Sequence, residues 1–459
     1  MAHRITRRAM LAGCGASAAA VLAACGAPAP AQPAAPAATT AAAPAAAASG
    51  EKIALSWWSH GAEEENKKKM LNLLVNRYQD KNPNTTVTIT WNNNPALAQA
   101  LQAAFAADSG YPDLFTAGSA QRAWIAAGWI AELSNGINWN NLAPWGKLSG
   151  TFPGPDGKPG VYFFPEYATT GEIHINEGMF KDFGIAIPAT LQYSVTEFNE
   201  VVKTITSKGV AAFADANGDR DYPGMTMANY MMLTRFGADD LVKVWTGEIA
   251  MSDPRVLEVL TAFEEQVKLK AFPSTFASMT LSESHNYFHT QKKAAMFPLQ
   301  SFYTARAFVP PDKGGQPKDF QLGFINYPAW PDGPGNKQKF LDPGGSQSVA
   351  AKSKYRDQAI AVLNGYTDPD WATEWVGTTG NPTAVKIDTS KVTSDYADYW
   401  VKYYKAQEGI THVSNVQIGT VGTPAHSDAW TAMVSQGMAG GLISAKDAVT
   451  KLVEAWKKT

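Results

Sequence analysis

Past residue 50 the sequence predicts an α/β fold on an open, parallel sheet, and three observations carry that reading. Apolar or β-branched runs alternate with helical periodicity, giving strand, helix, strand, helix, strand within about 70 residues. Nearly all of the 14 Trp, 16 Tyr and 20 Phe lie in this part, enough to fill one large core or two. Outside the N-terminal region no stretch approaches the roughly 20 apolar residues of a membrane span, which excludes a polytopic membrane protein.

Taken in order, residues 53–58 form a short apolar run that reads as a buried strand. Residues 63–78 place Met70, Leu73, Leu74 and Arg77 at helical spacing. After the turn Asn82-Pro83-Asn84, residues 85–91 alternate as a strand, 96–107 are helical, and 111–115 form a third strand ending at Gly118-Ser119. Further on, 173–176 and 294–297 are strands. Helices are expected over 177–183, 196–208, 355–364, 446–456 and 254–269, the last with Pro254 in its first turn. No internal repeat is visible.

The net charge of −2 mixes unlike parts. Residues 1–24 hold Arg4, Arg7 and Arg8 and no acid, so the remainder carries −5, a poor match to nucleic acid. This leader reads as an export signal, with a positive start and a weakly apolar run to Ala24. Thr6-Arg7-Arg8-Ala9-Met10-Leu11 resembles the twin-arginine signal; an ordinary signal with adjacent arginines is the alternative. Leu22-Ala23-Ala24-Cys25 resembles the bacterial lipoprotein box, which makes Cys25 the acylated first mature residue. Cys14 fits the same short pattern but would leave almost no apolar run. Both cysteines precede the folded part, so no internal disulfide is expected. Residues 26–50 contain 14 Ala and 5 Pro and no charge, and read as a semi-extended spacer.

In an open α/β sheet, ligands meet the loops after the strands. Here these are Trp58-Ser59-His60-Gly61, Asn92-Asn93-Asn94 and Gly118-Ser119-Ala120-Gln121. Amides and hydroxyls supply donors and acceptors, and an indole supplies a stacking plane, which suits a neutral polar ligand.

Several local patterns then resemble one family, the extracellular solute-binding proteins of bacterial ABC importers, family 1, whose best-known members bind sugars. Ile53-Ala54-Leu55-Ser56-Trp57-Trp58-Ser59-His60 is similar to the family's opening strand, and Tyr111-Pro112-Asp113-Leu114-Phe115 to its Pro-Asp strand. Residues 172–183, with Asn176 and later Pro188, resemble a Tyr-Asn segment in which Ile175 replaces the usual Tyr. Phe236-Gly237-Ala238, Lys292-Lys293-Ala294-Ala295-Met296 and Pro343-Gly344-Gly345-Ser346 with Val349-Ala350 continue the series in order.

The resemblance implies a two-lobed periplasmic-binding-protein fold, type II-like, in which each lobe is a sheet flanked by helices and the hinge is crossed more than once. Residues 51–168 with about 345–380 would form lobe 1, and 169–344 with about 381–459 lobe 2. Crossings are expected near 167–171, 342–346 and 377–382. Carried over by position, the cleft would hold Trp58, Ser59, His60, Ser119, Gln121 and Arg122 from the first lobe. From the second come Tyr167, Thr169, Thr226, Asn229, Tyr230, Phe302 and Tyr303. Gly345 and Ser346 stand at a hinge, and His426 and Trp430 near the C-terminus. Acidic residues are sparse at these positions, Glu166 being the nearest, so a polyol, a glycerophosphodiester or a peptide stays open beside a sugar.

Asp215, Asn217, Asp219 and Asp221 alternate as Ca²⁺ ligands do, but the glycine comes at the fourth place and Thr226 stands where a closing Glu belongs. A solvated acidic turn is the plainer reading, and no cofactor is expected. No nucleophile elbow or zinc-binding helix motif is present, which disfavours an exported glycoside-processing enzyme. A ferric site at Tyr403-Tyr404 is disfavoured too, because neighbours on a helix project apart. The expected partners are a small-molecule solute, ABC permease subunits and, through the lipid alone, the outer face or periplasmic side of a cell membrane, for a monomeric protein.

Overall fold

The computed structural model describes residues 51–457 apart from 118–121, 220 and 415. The leader, Cys25, the spacer, Ser119 and Gln121 therefore lie outside the described residues. Strand β1 (Ile53–His60) pairs in parallel with β2 (Thr85–Asn92) along its whole length, from Ile53 opposite Thr85 to His60 opposite Asn92. Helix α1 (Glu65–Lys81) crosses over between them with Lys67, Met70, Leu71, Leu74 and Val75 buried in one stripe. Helix α2 (Asn94–Ala106) leads to β3 (Leu114–Thr116), parallel to β1 on its other side. The third strand is shorter than expected because Asp113 is an anchor: its carboxylate accepts from Ser56 N at 2.8 Å and Ser353 Oγ at 2.6 Å. A hairpin of β4 (Thr151–Pro153) and β5 (Pro159–Val161) follows.

A second sheet contains β6 (Tyr167–Asn176), β7 (Ala211–Phe213), β8 (Ala294–Gln300), β9 (Leu322–Ile325), β10 (Gln338–Gly344) and β12 (Thr411–Val413). Its order is β12-β10-β6-β8-β7, with β9 on β6, and it is mixed: β7 and β8 are parallel while β6 runs against β8, β9 and β10. Strand β6 starts six residues earlier than 173, the start that its apolar run suggests. Its first half, Tyr-Ala-Thr-Thr-Gly, lacks an apolar pattern and is held by β10. Strand β11 (Gln347–Val349) returns to the first sheet and pairs antiparallel with β3, giving the order β11-β3-β1-β2.

The largest core packs on the second sheet, around Phe198, Met231, Trp245, Phe263 and Trp430. Another packs on the first sheet around Trp57, Leu71, Trp371 and Trp375. The last two, four apart on the helix Pro369–Thr379, stack at 5.3 Å, packed rather than free for ligand. Residues 381–459 were assigned above to the second lobe as a block. Ala384, Val385, Val392 and Trp400 instead cluster with the first core, whereas Ile418, Trp430 and Leu452 join the second.

The chain passes between the two sheets at two adjacent places and again, farther on, before β12. Phe164 N and O bond Gln347 O and N at 2.8 Å, which joins the first passage to the second. Gly345, at φ +59°, makes the second bend, and the ring of Tyr167 fills the space over Gly344 and Gly345. Residues 380–382, flanked on both sides by residues of the first core, brace these passages: Pro382 O accepts from Ala168 N at 3.0 Å and Gly380 O from Thr304 Oγ1 at 2.6 Å.

Candidate functional site

The C-terminal ends of β1 and β3 lie beside the first and second passages, and a buried network ties them together. Lys67 Nζ sits 2.7 Å from Glu166 Oε1 and 3.0 Å from each ring nitrogen of His60. Gln347 donates through Nε2 to Glu166 and, at 3.1 Å, to Thr116 Oγ1, while its Oε1 accepts from Trp57 Nε1 at 3.1 Å. Lys67 and Glu166 are 1% and 0% exposed, so water screens neither charge. Burial pushes the Glu166 carboxyl up, against the pull of Lys67 and Gln347. Burial, then Lys67, holds the His60 imidazole well below its usual range, so the ring is neutral.

A second buried network lies across β6 and β10. Glu172 pairs with Lys339 at 3.1 Å and accepts from Thr170 Oγ1 at 2.6 Å. Tyr403 shares a 2.6 Å bond with Thr170, and Gln407 reaches Glu172 at 3.4 Å and His412 at 3.1 Å. Burial brings His174 and His412 down to about 4. Ser301 accepts from Thr170 N at 3.0 Å and donates to Ala168 O at 3.2 Å, fixing the end of β8 to the first passage.

The predicted site residues divide into groups. Ser59 and His60 are buried beside Thr116 and Lys67, and Trp58 is half-buried against Phe105, Phe115 and Trp124. Tyr167, Gly345 and Ser346 stand together at the passages, and Thr169 is buried on β6. Asn229 and Tyr230 open the helix Asn229–Thr246; Tyr230 lies flat over Gly171 and stacks on Tyr327 at 4.2 Å. Thr226 is buried just before them, its hydroxyl on Tyr222 O at 2.6 Å. Phe302 is half-buried, and Tyr303 is enclosed among Phe288, Phe297 and Leu299 with its hydroxyl 2.7 Å from His289 Nδ1. Arg122 is exposed, its guanidinium 5.8 Å from the Phe152 ring centre. His426 and Trp430 sit apart in the helical core: His426 stacks on Trp456 at 4.0 Å, and Trp430 donates to Gly224 O at 3.2 Å.

The side chains of the acidic loop do not converge on one point. Asn217 donates to Ser435 O at 3.2 Å, Asp219 accepts from Leu281 N at 2.9 Å, and Asp221 accepts from Thr431 Oγ1 at 3.2 Å. Among the described residues no three His, Cys, Asp or Glu side chains gather as a metal site. Sequence reasoning missed Lys67, Glu172, Lys339 and Gln347. Lys67 had a signal: it stands three, four and seven residues before Met70, Leu71 and Leu74, on the buried stripe.

Residues 61–373 match the model of the bacterial extracellular solute-binding protein family. The chain belongs to that family. A search of curated protein sequences gives no match. Among solved structures, a protein of xylan utilisation from Caldanaerobius polysaccharolyticus is 20% identical, covering 88% of this chain and 99% of its own, with a TM-score of 0.70. A chitin oligosaccharide binding protein is 17% identical over 89% of this chain and 99% of its own, TM-score 0.71. RafE in complex with raffinose is 15% identical over 88% and 99%, TM-score 0.67. These likenesses establish the two-lobed α/β fold of this solute-binding protein. No helix among the described residues is long and apolar enough to cross a membrane.

Proposed function

We propose that this solute-binding protein is the extracytoplasmic receptor of an ABC importer, which captures a mono- or oligosaccharide between its lobes and passes it unchanged to a membrane permease. The observation that carries the reading is the convergence of both sheets on two adjacent passages, braced by residues 380–382, with Gly345 at φ +59°. Such a joint lets two preformed halves close on a ligand without melting either core. Carbohydrate as the ligand class is supported by the neighbours of the same fold, described as binding chitin oligosaccharide and raffinose. We take lobe 1 as 51–168, 345–380 and the segment around Ala384–Trp400 that packs with it, and lobe 2 as 169–344 with the rest of the C-terminal part. Ser59, His60, Tyr167, Asn229 and Tyr230 are the site residues favoured by position at the passages. Acylation at Cys25 and the Ala/Pro spacer would hold a monomer at the membrane.

The test is a thermal-shift screen of the mature chain against mono-, di- and oligosaccharides, since a ligand at 100 times its Kd stabilises the fold by about 2.7 kcal/mol. A concentration-dependent rise with one sugar, recovered unchanged, is the expected result. A response only to polyols, peptides or phosphodiesters would overturn the sugar assignment, and a hydrolysed product would overturn the binding role.

A further inference from the structure

A concave site of about 530 Å³ opens on the second lobe, well away from the passages. Lys293 lines it and immediately precedes β8, whose other end at Gln300 lies opposite Gly171. Strand residues advance roughly 3.3 Å each, which puts about 20 Å between that lysine and the passages. One wall is the turn from Pro273 to Met279, pinned where Met279 O accepts from Gly218 N at 2.9 Å. The other is the helix Leu281–His285, which widens into a π turn over Asn286–Thr290. Turns of that kind are rare and frequent at functional sites. Glu283, Tyr287 and Gln291 follow one another at intervals of four along this wall, and all three line the cavity.

Lys293 reaches the same cavity by a bent path. Lys292 adopts φ +52°, uncommon for a residue with a Cβ, and the chain doubles back so that Lys293 N donates to Tyr287 O at 3.0 Å. Lys292 spends its ammonium on Asp319 at 2.6 Å, whereas Lys293 has no ion-pair partner among the described residues. Glu283 has none among them either: its Oε2 accepts from Thr280 N at 2.7 Å and Oγ1 at 2.9 Å, and its Oε1 is uncommitted. One cavity therefore holds an anion and a cation that do not neutralise each other. Its floor is apolar, made by buried Pro273 and Met279 and the half-buried ring of Tyr287. The hydroxyls of Ser274 and Thr275 add polar groups to the rim.

We propose that this cavity is a second binding site, for a short zwitterionic peptide: Glu283 takes the terminal ammonium, Lys293 takes the terminal carboxylate, and Tyr287 with Met279 covers the apolar part between them. The spacing sets the length. Glu283 and Tyr287 are one helical turn apart, roughly 6 Å, and Lys293 is tied level with Tyr287 by its backbone bond. Extended residues advance roughly 3.3 Å each, so the termini of a di- or tripeptide match the two charges. The Gln291 amide and the two rim hydroxyls supply donors and acceptors for the peptide group. A neutral sugar would leave both charges unpaired, and a simple anion or cation would be repelled by one of them. The site goes beyond the carbohydrate reading and does not depend on it, because every lining residue belongs to the second lobe and none to the passages.

The experiment titrates the mature chain with dialanine, trialanine and N-acetyl-trialanine amide by calorimetry, using wild type, Lys293→Gln, Lys293→Arg and Glu283→Gln, with urea midpoints alongside. Gln at position 283 can still close the helix cap. Wild type is expected to bind one equivalent of dialanine or trialanine. Each Gln variant should lose about tenfold or more in affinity, the size of one charge-assisted hydrogen bond. The blocked peptide should lose as much, Lys293→Arg should stay within about threefold of wild type, and the midpoints should not move. No binding of either free peptide to wild type would overturn the inference. So would a blocked peptide that binds as well as trialanine. Gln variants that bind within threefold of wild type would overturn it too, since the peptide would then sit elsewhere, the cleft between the lobes included. An Arg variant as weak as the Gln variant would show that the charge at 293 is not what holds the ligand.

Discussion

Replacing Lys67 by Met should expose how the buried pair is balanced. The substitution keeps the volume of the stem and removes the ammonium 2.7 Å from Glu166 Oε1, leaving a carboxylate that is 0% exposed and bonded through Gln347. An uncompensated buried charge costs about 3–5 kcal/mol, but the group escapes part of that by taking a proton. Neutralising a carboxyl of ordinary pKa 4.5 costs about 1.4 kcal/mol per pH unit, hence about 3.4 kcal/mol at pH 7.0 and about 1.4 at pH 5.5. The sign follows: the folded carboxyl would titrate above its unfolded value, so the loss grows as pH rises from 4.5. His60, relieved of the neighbouring ammonium, would charge more readily as pH falls and adds to the same trend. Urea unfolding of wild type, Lys67→Met and Lys67→Met/Glu166→Gln at the two pH values is the assay. The single variant should lose about 2 kcal/mol more at pH 7.0 than at 5.5, and the double variant should regain most of the loss. Equal losses at both pH values, or a double variant no better than the single one, would refute the electrostatic account.

Two further outcomes can be checked on the same protein. Gly345→Ala should cost more than Gly409→Ala. Both glycines have positive φ, worth about 1–2 kcal/mol against alanine, but a Cβ at 345 meets Tyr167 Cε1 at 3.0 Å and Glu166 Cβ at 3.1 Å while 409 is open; equal urea midpoints would contradict the packed hinge. Stability should also fall on acidification, because burial lowers the imidazoles of His60, His174, His285, His289 and His412, with His174 and His412 at about 4 and His285 at about 3. Their contribution is complete above the unfolded value of 6.5 and is lost as pH falls toward 4; the raised Asp215 and Glu166 carboxyls run the opposite way, leaving at most about 4 kcal/mol per pH unit. A denaturation midpoint unchanged between pH 7.0 and 5.5 would contradict this.

The first sheet was legible because its strands and helices announce themselves by period. Ile53–His60, Glu65–Lys81 and Thr85–Asn92 fall within two or three residues of where apolar spacing puts them. Strand β10, Gln-Lys-Phe-Leu-Asp-Pro-Gly, has no such pattern; pairing with β6 makes it a strand, and pairing is a property of distant sequence. The same limit governs the site. Ser59 and His60 could be placed at a strand end by counting, but which of Lys67, Lys68 and Lys69 is buried depends on a helical stripe. That Lys67 meets Glu166 depends on tertiary packing. Asp215 was read as the first of four alternating oxygens, since sequence shows spacing and not the partners each oxygen finds.

The antiparallel edge β11 has a consequence for the order of synthesis. Gln347 bonds Thr116 across 231 residues, so β3 waits with an unpaired edge while every strand of the second sheet except β12 is made. Loop closure over that distance is slow, and an open edge is a template for wrong partners during the delay. A nascent chain of this design gains from a protected, unhurried place to fold, where β11 can reach β3 before another strand does.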